Sequence, residues 1–140
     1  MFKLDATLHR DSFLIGDLKL CQLLLANHKF YPWLILVPKR EDSSEIFDLS
    51  LADQNQLMIE INLVASFSKD FFKADKMNIA AFGNVVNQLH IHIIARFKSD
   101  RVWPAPIWLD KEKMEYETKE AEGIIEEFKL QFKNKFQILD

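Results

Sequence analysis

Two histidines separated by a single residue are the side chains of this chain best suited to chemistry. His90 and His92 lie in segment 88–94, whose sequence QLHIHII alternates polar and apolar residues. A period of two predicts a β-strand, so Gln88, His90 and His92 should share one face. Side chains on one face of a strand stand roughly 7 Å apart, which lets two imidazoles surround a single phosphate group.

Imidazole in such a position suits a nucleophile, a proton carrier or a metal ligand. A nucleophilic histidine must be neutral at the attacking nitrogen, so its other ring nitrogen needs an acceptor such as a backbone carbonyl. A metal site needs a third ligand, which His9, His28 or an acidic residue would have to supply. Half-exposed strand histidines without any role are the remaining interpretation, and the pattern alone leaves all of these open.

Hydrophobic periodicity indicates the strands that must position these histidines. Apolar runs around Gly16 and Asp17 predict a hairpin over residues 12–25 with its turn at that pair. Residues 33–37 are nearly all apolar and are followed by a proline, which suits a central strand covered on both faces. The further strand candidates are residues 77–82 and 89–97.

Two other segments have the period of an α-helix. Ser50 and Asp53 have the spacing of a helix N-cap, and apolar residues follow at steps of three and four until about Lys73. A second apolar stripe, from Tyr116 to Phe132, predicts a C-terminal helix. Strands, helix, strands and helix in this order predict an α+β fold with a mainly antiparallel sheet. The 140 residues leave room for a single domain over the whole chain.

Composition and charge exclude several classes of function. A net charge of −3 with scattered lysines and arginines offers no basic surface for a nucleic-acid polymer. No run approaches the roughly 18 apolar residues that cross a bilayer, and no signal peptide is readable, so we expect a cytoplasmic protein without membrane association. The single Cys21 excludes a disulfide framework and has no adjacent base. A small ligand is therefore the expected partner.

The residues around the histidine pair resemble the signature of the histidine triad (HIT) superfamily of nucleotide hydrolases and transferases. The family motif is His-φ-His-φ-His-φ-φ, where φ is an apolar residue, after a turn of the Gly-Gln-Ser/Thr-Val type. Segment 83–94, GNVVNQLHIHII, matches it with His90 at the central histidine and His92 at the third. Gln88 stands where the family has its first histidine. The resemblance implies a HIT-like fold with a core helix and a C-terminal helix.

A second stretch also matches, and the resemblance covers about residues 13–97. Segment 34–40, LILVPKR, is similar to the family's His-φ-φ-Val-φ-Pro-Lys strand. This match places Trp33 where another site histidine usually stands. Small proteins of the family commonly dimerise, so the resemblance also implies a homodimer.

The resemblance implies which residues bind the substrate. Asn27 would contact the ribose hydroxyls, and Asn84 and the backbone N–H of Val85 would help to hold the α-phosphate. Trp103 lies in the loop after the histidine strand, where we expect it to cover a nucleotide base or a partner subunit.

The reaction implied by the resemblance proceeds in two displacements at the α-phosphate of a diadenosine polyphosphate, a nucleoside phosphoramidate or a similar small nucleotide. His90 would attack phosphorus to form a nucleotidyl-histidine, which water then hydrolyses. Gln88, Asn84 and His92 would stabilise the phosphate oxygens, and no metal ion or other cofactor is required. The replacements at Gln88 and Trp33 keep open a nucleotide-binding protein with weakened turnover, and, less favoured, a metal-binding module.

Overall fold

The computed structural model describes residues 1–136. Within them, five strands form one antiparallel sheet: β1 (Ser12–Asp17), β2 (Cys21–Ala26), β3 (Trp33–Pro38), β4 (Lys76–Ala80) and β5 (Ile91–Arg96). Their order across the sheet is β1-β2-β3-β5-β4. The α-helices of this part of the chain are α1 (Ala6–Arg10), α2 (Leu51–Phe72) and α3 (Thr118–Phe132). The predicted α+β fold, with a core helix and a C-terminal helix, is confirmed. None of these helices is long and apolar enough to cross a bilayer.

The core helix α2 begins and ends as the sequence predicts. The side chain of Ser50 accepts a hydrogen bond of 3.1 Å from the backbone N–H of Asp53, which satisfies one free donor of the first turn. Lys73 ends the helix in the left-handed conformation with φ 57°. Leu57 and Val64 on the apolar stripe are buried in the main core, and each such side chain stabilises the fold by about 1.5–3 kcal/mol.

The sheet presents a second face, opposite α2, that carries the histidines. Because side chains alternate along strands, Leu34 and Ile93 pack toward the main core, whereas Ile35 and His92 point the other way. Ile35 and His92 are directly opposite each other in the pairing of β3 with β5. The short helix α1, which the sequence did not predict, covers part of this face through Leu8.

The predicted turn of the first hairpin is wrong. Strand β1 continues through Gly16 and Asp17, and the chain reverses at residues 18–20. The glycine serves packing instead, because a Cβ at position 16 would stand only 2.9 Å from the ring of Phe136. The pairing register also shifts between Leu14 and Gly16, as expected for a β-bulge.

The last two strands are shorter than predicted. Strand β5 begins at Ile91, so His90 precedes it. The reason is that the N–H of Leu89 donates to the carbonyl of Ser43, 2.9 Å away, and not to a neighbouring strand. His90 therefore lies where regular pairing has not yet begun.

A buried carboxylate joins α2 to the start of β2. Glu60 is almost fully buried, and its two oxygens accept hydrogen bonds of 2.9 Å from the backbone N–H groups of Leu20 and Cys21. Gln56 donates a third bond of 2.7 Å. The helix thus supplies acceptors to two backbone donors at the hairpin turn.

We predict that Glu60→Ala lowers the free energy of unfolding by about 2–4 kcal/mol, because two buried N–H groups lose their acceptors. Urea unfolding followed by circular dichroism measures the effect. Glu126→Ala on the exposed face of α3 is the matched control and should change stability by less than about 0.5 kcal/mol. Equal losses for the two variants would contradict this account of Glu60.

Candidate active site

His90 and His92 lie side by side at the beginning of β5. Only 4% and 5% of their surfaces are exposed, so the half-exposed arrangement considered from the sequence is wrong. The ring centroids are 4.8 Å apart, closer than the regular strand spacing because His90 precedes the strand. Two imidazoles are therefore buried in contact.

The backbone determines the tautomer of the His90 ring. Its Nδ1 lies 2.7 Å from the carbonyl oxygen of Gln88. A carbonyl oxygen can only accept, so Nδ1 carries the proton and Nε2 of the neutral ring keeps its lone pair. This is the arrangement that a nucleophilic histidine requires.

His92 has hydrogen-bonding partners at both ring nitrogens. The indole N–H of Trp33 donates to Nδ1 over 3.0 Å, so the proton of the neutral ring is on Nε2. Nε2 in turn lies 3.3 Å from the carbonyl oxygen of Phe82. Burial, with a further contribution from His90, lowers the pKa of His92 to about 4. His92 is thus a neutral hydrogen-bond donor at neutral pH.

A small polar cavity of about 100 Å³ adjoins His90. It is lined by Ser44, Glu45, Ala81, Gly83, Asn84, Asn87, Gln88, Leu89 and His90. Asn84 lines this cavity, whereas Val85 is 94% exposed and leaves only its backbone as a possible contact. Amide and hydroxyl groups around such a cavity suit an anionic oxygen-rich group.

A larger cavity of about 270 Å³ adjoins His92. It is lined by Leu8, Asp11, Ala26, Asn27, His28, Trp33, Ile35, His92 and Lys113. Among these, Asn27 is the residue expected to contact the ribose, and His28 is considered from the sequence only as a metal ligand. Leu8 and Lys113 have no role predicted from the sequence. An apolar floor with a few polar groups at its edge suits a planar organic group. Because the two histidine rings are in contact, the two cavities flank one histidine pair.

Two polar side chains of the larger cavity have distinct environments. Asn27 accepts a 2.9 Å hydrogen bond from the N–H of Tyr116 through its side-chain oxygen, which leaves its NH₂ group as a donor. Nδ1 of His28 is buried without a partner among the described residues. Burial, together with the positive charge of Lys113, lowers the pKa of His28.

The amide of Gln88 binds the N-terminal segment. Its Nε2 donates to the carbonyl of Lys3 over 2.9 Å, and its Oε1 accepts from the N–H of Asp5 over 2.8 Å. The carboxylate of Asp5 then caps α1, which carries Leu8 to the larger cavity. Gln88 thereby lines the small cavity and also holds a wall of the large one.

A buried arginine anchors the loop that covers His92. Arg96 is fully buried and makes two hydrogen bonds to Asp100, of 2.8 and 3.1 Å, and one of 2.7 Å to the carbonyl of Ala105. This loop brings Trp108 to 5.1 Å from the His92 ring, between ring centroids. Trp103, the tryptophan expected at the site, instead lies over the Arg96 guanidinium at 5.6 Å.

Among the described residues, no other group of side chains fits the metal binding or the nucleophilic chemistry considered from the sequence. Residues 1–136 contain no group of three His, Cys, Asp or Glu side chains placed to hold a metal ion. Cys21 is fully buried, and burial raises the pKa of its thiol. The histidine pair is therefore the candidate active site.

Known proteins resemble this chain in sequence and in fold. The family model described as the HIT domain matches residues 7–99. A histidine triad protein of Bradyrhizobium japonicum is 41% identical, over 97% of this chain and 98% of that chain, with a TM-score of 0.88. One of Sinorhizobium meliloti has the same identity and coverage and a TM-score of 0.89. One of Marinobacter aquaeolei is 33% identical over 96% and 98%, with a TM-score of 0.92. No curated protein sequence matches the chain.

Gly83 lies in the loop between β4 and β5, and its substitution tests how tightly this loop packs on His90. A Cβ at Gly83 would stand 2.7 Å from the carbonyl oxygen of Val86 and 3.4 Å from the His90 ring. We predict that Gly83→Ala displaces the loop, shifts the His90 ring resonances and costs about 1–3 kcal/mol.

Gly123→Ala is the matched control, because nothing lies within 4 Å of a Cβ at that helical position. It should stabilise the protein by about 0.5–1 kcal/mol and leave His90 unchanged. Thermal unfolding and histidine-selective NMR measure both effects. An unperturbed His90 ring in Gly83→Ala would show that the loop is not tightly packed.

Proposed function

This chain belongs to the histidine triad (HIT) family, and on that premise we propose that it hydrolyses or transfers nucleotides at the α-phosphate of a small mononucleotide or dinucleotide. Members of the family are in general nucleotide-binding hydrolases or transferases. The observation that carries the proposal is the 2.7 Å contact between Nδ1 of His90 and the carbonyl oxygen of Gln88, which leaves the lone pair of the neutral ring on Nε2 as the attacking group beside a polar cavity.

The two cavities suit the two parts of a nucleotide. The base and ribose would occupy the larger cavity, where the NH₂ group of Asn27 is available to a ribose hydroxyl. The α-phosphate would occupy the small cavity, with Asn84 and the backbone N–H of Val85 as donors. The histidine pair lies between them, so the phosphorus would stand next to His90.

The proposed reaction has two displacements. In the first, Nε2 of His90 forms a bond to the α-phosphorus as the bond to the leaving group breaks, and the carbonyl of Gln88 stabilises the charge on the ring through Nδ1–H. In the second, water attacks phosphorus, the P–N bond breaks, and the proton of the water goes to solvent. His92 would donate from Nε2 to a phosphate oxygen in exchange for its 3.3 Å contact with the carbonyl of Phe82, while Gln88 keeps α1 in place.

A nucleotide-binding protein with weakened turnover is the second candidate. It is favoured by one observation: the amide of Gln88 and both nitrogens of His92 are engaged by protein groups, so neither is free to relay a proton. A metal-binding module has less support, because the described residues bring no third ligand to His90 and His92.

We predict that the protein releases adenosine monophosphate from diadenosine polyphosphates or adenosine phosphoramidates, and that a chelator does not change the rate. His90→Ala should lower kcat by at least about 10³-fold, because it removes the nucleophile. His92→Ala should cost less, about 10- to 100-fold, because it removes only a hydrogen-bond donor. Product release followed by chromatography measures each rate.

His9→Ala, an exposed change on α1 outside both cavities, is the control and should retain the wild-type rate. Near-normal turnover by His90→Ala on every accepted substrate would refute the nucleophile. Tight nucleotide binding by the wild type with no turnover would favour the second candidate.

We also propose that the protein is a homodimer. Strand β4 lies at an edge of the sheet, so its outer backbone groups are free to pair with a second copy. Ile79 on this strand is 47% exposed, and Met58 and Ile59 on α2 are exposed as well. Two copies related by a two-fold axis beside β4 would bury this apolar surface between them.

Light scattering at micromolar concentration should give twice the mass of the 16.5-kDa chain. Ile79→Asp should shift the population to monomer, because it places a charge in the proposed interface. Leu14→Asp on the opposite edge strand, where Leu14 is 54% exposed, is the matched control and should remain dimeric. A monomeric wild type at this concentration would refute the dimer.

A further inference from the structure

Trp33 contacts the histidine pair through a directed hydrogen bond. Its Nε1 lies 3.0 Å from Nδ1 of His92, and the two ring centroids are 5.4 Å apart. An indole N–H can only donate, so this bond exists only while Nδ1 of His92 bears no proton. Trp33 and His92 are diagonal neighbours on adjacent strands, since Trp33 pairs with Ile94.

We propose that Trp33 is a positioning residue that holds His92 in the neutral form protonated at Nε2, so that His92 donates a hydrogen bond during the reaction and transfers no proton. Protonation of Nδ1 would place one N–H against another and would break the bond to Trp33. The consequence for catalysis rests on the proposed function, whereas the state of the His92 ring does not.

Apart from the carbonyl of Phe82, the groups around His92 do not favour an imidazolium. The neighbouring ring on β5 is His90, and the ring of Trp108 covers another side. The larger cavity adds the charged or titratable side chains of His28, Lys113 and Asp11. Of these only Asp11 is an anion, and both of its oxygens are bound at 2.8 Å by the guanidinium of Arg10.

No other side chain at the small cavity is a free proton carrier. Glu45 is the remaining titratable group that lines it, an exposed residue whose ionised carboxylate can only accept hydrogen bonds. Gln88 has no titratable proton, and its amide is bound to the N-terminal segment. A leaving group must therefore depart without a proton from the protein.

This requirement selects a chemical class of substrate. In a phosphoric anhydride, the P–O bond breaks with its electron pair on a phosphate oxygen, which is stable as an anion. In a phosphoramidate, the leaving nitrogen must gain a proton as the P–N bond breaks. We therefore expect the site to act on nucleotide anhydrides, such as diadenosine polyphosphates, in preference to phosphoramidates, by at least about 100-fold in kcat/KM, the usual effect of an absent general acid.

The first experiment measures by NMR which nitrogen of His92 carries the proton and whether the ring titrates. In ¹⁵N-labelled wild-type protein, His92 should carry its proton on Nε2 and should not titrate between pH 5.5 and 9. In Trp33→Phe, the hydrogen bond that stabilises the neutral ring is lost, so the pKa of His92 should be higher than in the wild type, while burial and His90 still keep it below the usual range. Trp108→Phe is the control, because Trp108 packs on His92 without a hydrogen bond, and it should leave the ring state unchanged.

The second experiment compares kcat/KM for diadenosine tetraphosphate and adenosine 5′-phosphoramidate. The wild type should prefer the anhydride, and Trp33→Phe should narrow the ratio of the two kcat/KM values, because a His92 with a higher pKa is protonated, and able to protonate a leaving nitrogen, in a larger fraction of molecules. A wild-type His92 that titrates above pH 6, or a proton on Nδ1, would overturn the proposed role of Trp33 without any need for a variant.

Equal rates on the two substrates would overturn the selection of anhydrides. Absence of turnover on both, with His92 neutral and protonated at Nε2, would refute the proposed hydrolase and still support the role of Trp33. The NMR and kinetic results thus separate failure of this inference from failure of the proposed function.

Discussion

The burial of two imidazole rings in contact is the constraint on which the rest of the site depends. Rings 4.8 Å apart with almost no solvent exposure cannot both carry a charge, and three of their four nitrogens have a protein partner. The partners come from rigid parts of the fold: the carbonyl of Gln88, the carbonyl of Phe82 and the indole of Trp33. Each partner can only donate or only accept, so the partners decide which nitrogen of each neutral ring carries the proton.

Gln88 and Trp33, which we propose stand where the family motif has histidine, both form hydrogen bonds with defined partners. Gln88 connects the small cavity to the N-terminal segment and, through Asp5, to α1. Trp33 donates to His92 and lines the larger cavity. Gln88 and Trp33 therefore help to hold the site together, and the backbone carbonyl of Gln88 gives the neutral ring of His90 the tautomer of a nucleophile.

Elements with strong local signals were predicted well. The Ser50 cap and the apolar stripe of α2 depend on residues a few positions apart, so local chemistry decides where that helix begins and ends. The first hairpin was predicted wrongly in detail, because Gly16 is required by contact with Phe136, which is far away in sequence. Helix α1 has five residues and depends on a cap and on packing, so periodicity could not reveal it.

The sequence by itself determined the family resemblance, the antiparallel α+β fold and the identity of the histidine pair, because these follow from residue types at short spacing. Only the tertiary structure decided the roles of the residues around that pair. It placed Trp108 and not Trp103 against His92, because the buried Arg96 anchors the intervening loop. It also joined Trp33 to His92 across two strands, and such contacts depend on register and burial, which spacing along the chain does not encode.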